Sequence, residues 1–398
     1  MKYFTAGESH GPQLTAIIDG FPAGLRIDED RLNFQLARRQ KGYGRGGRMK
    51  IEQDRAQIVS GLRHGCTLGS PITIVIPNKD WENWSQIMDP FEQPPEELHL
   101  KLERLAKETT YPRPGHADLA GGIKYNHKDL RNVLERASAR ETAARTAVGA
   151  IARQLLEYFG VQFVSHVVAI GPVVLGDGYD TSDLASLVER TEASEVRCLD
   201  PEVEQQMIAA IREAKKKRDS LGGIAELIVR GLPVGLGGFA QWSHRLDGRL
   251  AGALMSIQSV KGVEIGLGFR GSDRRGSAFQ DEVFYDKSRP ERTKGYYRKT
   301  NNAGGIEGGM TNGEDLVARV FGKPISTLNQ PLKTVDVATH EPAEAMVERT
   351  DNCVTPALAV ICEAVGAITI AKAFLEKFGG DNMVEIERAY RGYCESEY

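Results

Sequence analysis

Cysteine is sparse in this sequence, and long apolar runs are missing. The five cysteines, Cys66, Cys198, Cys353, Cys362 and Cys394, are odd in number, scattered, and form no CxxC pair. This excludes a disulfide framework, offers no structural zinc site, and fits reduced thiols. No window approaches about 18 uncharged apolar residues, the length a membrane span needs. The opening MKYFTAGESHGPQL has no apolar stretch of signal-peptide length, so a cytoplasmic location is expected. A surplus of positive charge is also lacking. With 51 Lys+Arg against 54 Asp+Glu and a formal charge of -3, no protein-wide field exists to hold a polyphosphate. No linker rich in Ser, Pro or Gly divides the chain and no repeat is legible, so residues 1–398 are expected to form one domain with long functional loops.

Against that balance, ARRQKGYGRGGRMK (37–50) gathers Arg38, Arg39, Lys41, Arg45, Arg48 and Lys50 with no acid and four glycines, Gly42, Gly44, Gly46 and Gly47. Its occupant could be a nucleic acid, a membrane surface or a small anion, and a run of one charge is usually a solvated face. An RNA-binding arm carries repeats and aromatic stacking partners, whereas this block has Tyr43 alone.

Strand and helix patterns interleave. LTAIIDG (14–20), PITIVIP (71–77), VQFVSHVVAIG (161–171) and IAELIVRG (224–231) read as β-branched strands ended by Gly or Pro turns. Asp200-Pro201 opens a helix whose cations at AKKKR (214–218) sit at its C-terminal end, and a second runs from Pro356 to Gly379. Glu363 and Lys372 within the latter favour a buried helix over a membrane span. SARE (138–141) fits a capping box, followed by the apolar stripe Ala144, Ala147, Val148, Ile151 and Leu155. That helix start, flanked by Arg136 and Arg140, suits an anion or is a plain capped end.

GLGFRG (266–271) matches G-x-G-x-x-G, but no helical stripe follows it, so it is not a dinucleotide fingerprint. NNAGGIEGGMTNGED (301–315) either admits a flat ligand close to its backbone or forms a surface turn. GESHG (7–11) carries Glu8, Ser9 and His10; RPGHAD (113–118) sets His116 beside Arg113 and Asp118; ERTDNC (348–353) carries Arg349 and Asp351. Loop histidines beside arginines suggest proton transfer around an anion.

GESHGPQL, RRQKGYGRGGRM, RPGHAD, RASARETA (136–143), MSIQSVKGVEIG (255–266), NNAGGIEGG, KPISTL (323–328) and RTDNCVTPA (349–357) together closely resemble the chorismate synthase family, in its order and over nearly the whole chain. Thr350 stands where serine is commoner. The resemblance implies an α+β sandwich with helices enclosed between antiparallel sheets, assembled as a homotetramer. It also implies a lyase that removes phosphate and a ring proton from 5-enolpyruvylshikimate 3-phosphate by anti 1,4-elimination, giving chorismate.

A substrate with one phosphate and two carboxylates gives the basic stretch a small polyanion to hold. The implied substrate contacts are Ser9, Arg39, Arg45, Arg48, Ser138, Arg140 and Arg349, the arginines binding oxyanions bidentately. The family needs reduced FMN although its reaction is redox-neutral. Implied cofactor contacts are Arg136, Ala137, Ser138, Gln258, Ser259, Gly308, the turn Lys323, Pro324, Ile325, Ser326 and Thr327, and Arg349. His10 would protonate the leaving phosphate, His116 would protonate the reduced flavin or steady its anion, and Asp351 would help take the ring proton. Some members reduce flavin with NADPH; without a dinucleotide fingerprint, a separate flavin reductase or reductant is expected here.

Overall fold

The computed structural model describes residues 1–45, 54–94, 107–176, 178–347 and 351–397. Its frame is two antiparallel sheets with helices between them. The first sheet has β1 Lys2–Ala6, β2 Gln13–Asp19, β3 Gln57–Ser60 and β4 Ile72–Pro77, in the order β1-β2-β4-β3. Leu14, Ala16 and Ile18 pair with Ile76, Ile74 and Ile72, and all six are buried. The period of two therefore puts every second side chain on the inner face.

The second sheet has β5 Gln162–Ile170, β6 Val173–Val174, β7 Gly223–Arg230, β8 Val260–Ile265 and β9 Leu316–Gly322, in the order β8-β9-β7-β5-β6. The principal helices are α1 Glu29–Gln40, α2 Arg131–Ala137, α3 Thr142–Tyr158, α4 Leu184–Ala193, α5 Pro201–Lys216, α6 Leu246–Met255 and α7 Thr355–Phe378. α3 packs on β2, β4 and α7, and α7 packs on β5 and β7. This is the expected α+β sandwich, and one contiguous apolar cluster joins both sheets to the helices.

All four expected strands form, and so do the three expected helices. Asp200 caps α5 by accepting from the backbone N–H groups of Glu202 (2.8 Å) and Val203 (3.0 Å). α7 is long and apolar enough to cross a membrane, but 89% of its most apolar window is buried, so it is a core helix. Its contact with α3 is close: a Cβ on Gly149 would lie 2.5 Å from Ala364 Cα.

Two local expectations change. Arg38 and Arg39 are not part of a solvated face; they lie in the last turn of α1 and are each 5% exposed. Arg38 forks onto Glu363 of α7 at 2.6 and 2.9 Å, which ties α1 to the core. At SARE, Ser138 accepts from the Arg140 N–H (3.3 Å), but a 3-10 turn, Ala139–Glu141, precedes α3. Glu141 does not reach back to close a capping box. Thr5 (2.8 Å), Arg145 (3.0 Å) and Gln258 (3.2 Å) donate to its carboxylate instead.

Candidate active site

Two segments far apart in sequence, 5–10 and 135–141, are laced together. Arg136 donates to the carbonyls of Gly7 (3.1 Å) and Thr5 (2.8 Å). The Ser9 N–H donates to the Glu135 carbonyl (3.0 Å), and the Ser138 hydroxyl lies 3.3 Å from that of Ser9. His10 is held at its backbone and at its ring, because Glu135 accepts from the His10 N–H (2.9 Å) and contacts Nδ1 at 2.9 and 3.0 Å. Trp84 stacks on the imidazole with centroids 3.9 Å apart.

His116 is fixed on the opposite segment. Asp118, 1% exposed, lies 2.6 Å from its Nδ1 and accepts from Arg113 Nε at 2.8 Å. Burial acts to raise the Asp118 carboxyl, but hydrogen bonds from His116 and Arg113 outweigh it and hold the acid well below the usual carboxylate range. Arg113 also donates to Thr327 (3.3 Å), which ties RPGHAD to the 323–327 turn. Lys323 in that turn donates to the Gly115 carbonyl (2.6 Å) from its side chain and to the Ser259 carbonyl (2.9 Å) from its backbone. Ser259 itself is left-handed (φ 72°), a conformation that costs a non-glycine residue on the order of 1 kcal/mol.

These elements enclose a cavity of about 370 Å³, within the size range of small-molecule sites. It is lined by Ser9, His10, His116, Ala137, Ser138, Gln258, Ser259, Ile325, Ser326, Thr327 and Asp351, so most of the predicted residues converge on one place. Arg45 Nε lies 3.4 Å from Asp351 Oδ2, which brings the described end of the basic stretch to the rim.

Other predicted residues stand back from the lining. Arg39 donates to Thr142 (2.9 Å), the Ala139 carbonyl (3.1 Å) and Asp54 (3.3 Å); Arg140 also pairs with Asp54, so both brace the turn beneath the cavity. Arg136 serves β1, as above. Lys323 and Pro324 shape the turn that presents Ile325, Ser326 and Thr327. Gly308 lies in the turn between Ile306–Glu307 and Met310–Thr311 and does not line the cavity. Arg48, Arg349, Gly46 and Gly47 lie outside the described residues. Sequence reasoning missed Glu135 and Trp84, whose roles depend on contacts with residue 10 and have no local pattern.

The family model for chorismate synthase matches residues 1–375. The chain is 53% identical over 395 residues to the chorismate synthase of Symbiobacterium thermophilum, covering 99% of each protein. It is 54% identical over 397 residues to that of Geobacter metallireducens, covering 99% of this chain and 98% of the relative. The chain belongs to the chorismate synthase family. A chorismate synthase crystal structure, 41% identical, superposes with a TM-score of 0.78 over 99% of this chain and 97% of its own. Membership of the chorismate synthase family makes this chain a carbon–oxygen lyase of aromatic amino acid biosynthesis. It also leaves the nucleic-acid alternative without support, since two of the cations behind it, Arg38 and Arg39, face inward.

Proposed function

We propose that the 370 Å³ cavity is where this chorismate synthase eliminates phosphate from 5-enolpyruvylshikimate 3-phosphate, and that His10, His116 and Asp351 handle the protons. The observation carrying this reading is that two histidines, each fixed by a buried carboxylate, share one small cavity with Asp351. His10 protonates the departing phosphate, Asp351 accepts the ring proton, and His116 holds a proton on the cofactor side. Ser9, Ser138 and Arg45 orient the polyanionic substrate, with Arg48 and Arg349 joining them; Arg39 and Arg140 support that surface through Asp54. Residues 1–398 act as one catalytic domain.

The residues present fit reduced FMN. Gln258 Nε2 donates to Glu141 (3.2 Å), while its Oε1 is buried without a partner among the described residues and can accept from a ring N–H. Ser259, Ser326 and Thr327 supply hydroxyls to ribityl or phosphate oxygens, with Ala137 beside them on the cavity wall and Lys323 holding the turn that presents them. When bound, the cofactor supplies transient electron density that helps the allylic carbon–oxygen bond break. A separate flavin reductase supplies reduced flavin, and the enzyme works in the cytoplasm as a homotetramer.

The test is anaerobic phosphate release from 5-enolpyruvylshikimate 3-phosphate with and without reduced FMN. Many turnovers per reduced flavin and none with oxidised FMN are expected, and turnover without flavin refutes the cofactor reading. His10→Ala and His116→Ala should each lower the rate by about 10²-fold or more, since positioned acid–base groups contribute that much.

A further inference from the structure

We propose that Glu135 is a positioning residue for His10, fixing which ring nitrogen exchanges a proton with the substrate. The inference rests on the reading of His10 as the acid. Glu135 sits on α2 with its side chain 1% exposed, and its two oxygens approach His10 Nδ1 at 2.9 and 3.0 Å. Oε2 also accepts the backbone N–H of His10 at 2.9 Å. One buried carboxylate therefore grips both the main chain and one edge of the same residue.

An ionised carboxylate only accepts hydrogen bonds, so the atom facing it must donate. Burial acts to raise the Glu135 carboxyl, but the hydrogen bond and charge of His10 outweigh burial and keep it below its ordinary value, hence ionised at neutral pH. His10 Nδ1 consequently carries hydrogen whether the ring is neutral or cationic. The proton that comes and goes belongs to Nε2, the nitrogen that Glu135 does not engage. Trp84 fixes the plane of the ring: it stacks at 3.9 Å and 25°, and is itself held by its indole N–H donating to Asp80 (3.0 Å). His116 is built differently, because Asp118 is shared with Arg113, whose Nη2 lies 3.1 Å from His116 Nδ1.

Glu135→Gln separates positioning from structural support. It keeps the shape, and the backbone N–H of His10 claims the amide oxygen, so the amide NH₂ faces Nδ1. Neutral His10 then meets an N–H donor at the position 2.9 Å from Nδ1, which favours hydrogen on Nε2 and removes the charged acceptor that stabilises Nδ1–H once the Nε2 proton has left. The assay is ¹⁵N NMR of histidine-labelled protein, with kcat, KM and FMN affinity measured on the same samples. We expect the His10 tautomer to reverse and kcat to fall roughly 10- to 100-fold, with KM and FMN affinity held within about 3-fold. In Glu135→Ala, added formate should restore part of kcat by accepting from Nδ1, and equal chloride should not. Wild-type kcat in Glu135→Gln, or a slow variant whose His10 keeps Nδ1 protonated, overturns the proposal. Wild-type kcat in His10→Ala instead overturns the reading of His10 itself.

Discussion

Replacing Glu363 by glutamine removes one charge from the middle of the helix layer and leaves its shape unchanged. Glu363 is 1% exposed and accepts from Arg38 at 2.6 and 2.9 Å, from Arg153 at 2.5 Å and from the Ser165 hydroxyl at 2.6 Å. Those donors come from α1, α3 and β5, so this carboxylate joins three elements to α7. Breaking a buried pair by removing one partner costs about 3–5 kcal/mol, because the remaining charge is stranded. Two features of the site moderate the loss. Glutamine keeps one acceptor oxygen, and Glu192 still pairs with Arg38 (2.6 Å) and Arg197 (2.7 Å). The expected destabilisation is therefore about 3 kcal/mol, at the low end of that range. Urea unfolding should show a lower midpoint with an unchanged slope. Burial acts to raise the Glu363 carboxyl, but the three arginines hold it far below its ordinary 4.5. Its stabilisation is thus present above pH 4.5 and lost only as pH falls through the depressed value, so the variant should lose stability at neutral pH and converge on wild type in strong acid. A neutral-pH loss below about 1 kcal/mol would refute the reasoning.

Gly149→Ala places a methyl carbon 2.5 Å from the Ala364 backbone and should destabilise by about 1–3 kcal/mol in thermal unfolding despite alanine's better helix propensity. Unchanged stability would mean that α3 and α7 can separate at no cost. Glu226 lies within 3.0 Å of His166, 2.7 Å of Tyr179 and 2.6 Å of Arg319; burial acts to raise its carboxyl, but these partners hold it down at about 2. Its stabilisation is present above its ordinary 4.5 and lost as pH falls toward about 2, so Glu226→Gln should flatten the stability profile in that window. An unaltered acid limb would count against the shift.

Much of this architecture was readable where side-chain periodicity is strong. β2, β4, β5 and β7 carry β-branched runs bounded by Gly or Pro, and Asp200-Pro201 marks a helix start with local chemistry. β8 and β9 carry a weaker strand signal: VKGVEI contains a glycine at a register shift, and LVARVFG places Arg319 on the face that meets Glu226. The basic stretch misleads because a run of charge ordinarily means exposure. Arg38 and Arg39 are consecutive on a helix, point to different sides, and meet Glu363 and Asp54, 325 and 15 residues away. At the site, His10, His116, Ser138 and the 323–327 turn were legible through long motifs. Glu135 was not, since a carboxylate beside an arginine on a helix ordinarily reads as surface.

The lacing of residues 5–10 to 135–141 also bears on the order in which the molecule is made. The hydrogen bonds between His10 and Glu135 join groups 125 positions apart. Such loop closure is slow and comes with chain condensation, after local helices and hairpins have formed. On the ribosome, the amino-terminal hairpin of β1 and β2 can pair early, yet His10 has no carboxylate partner until α2 has emerged. Regain of turnover during refolding should therefore lag behind regain of helix signal, so that enzymatic competence reports completion of the fold.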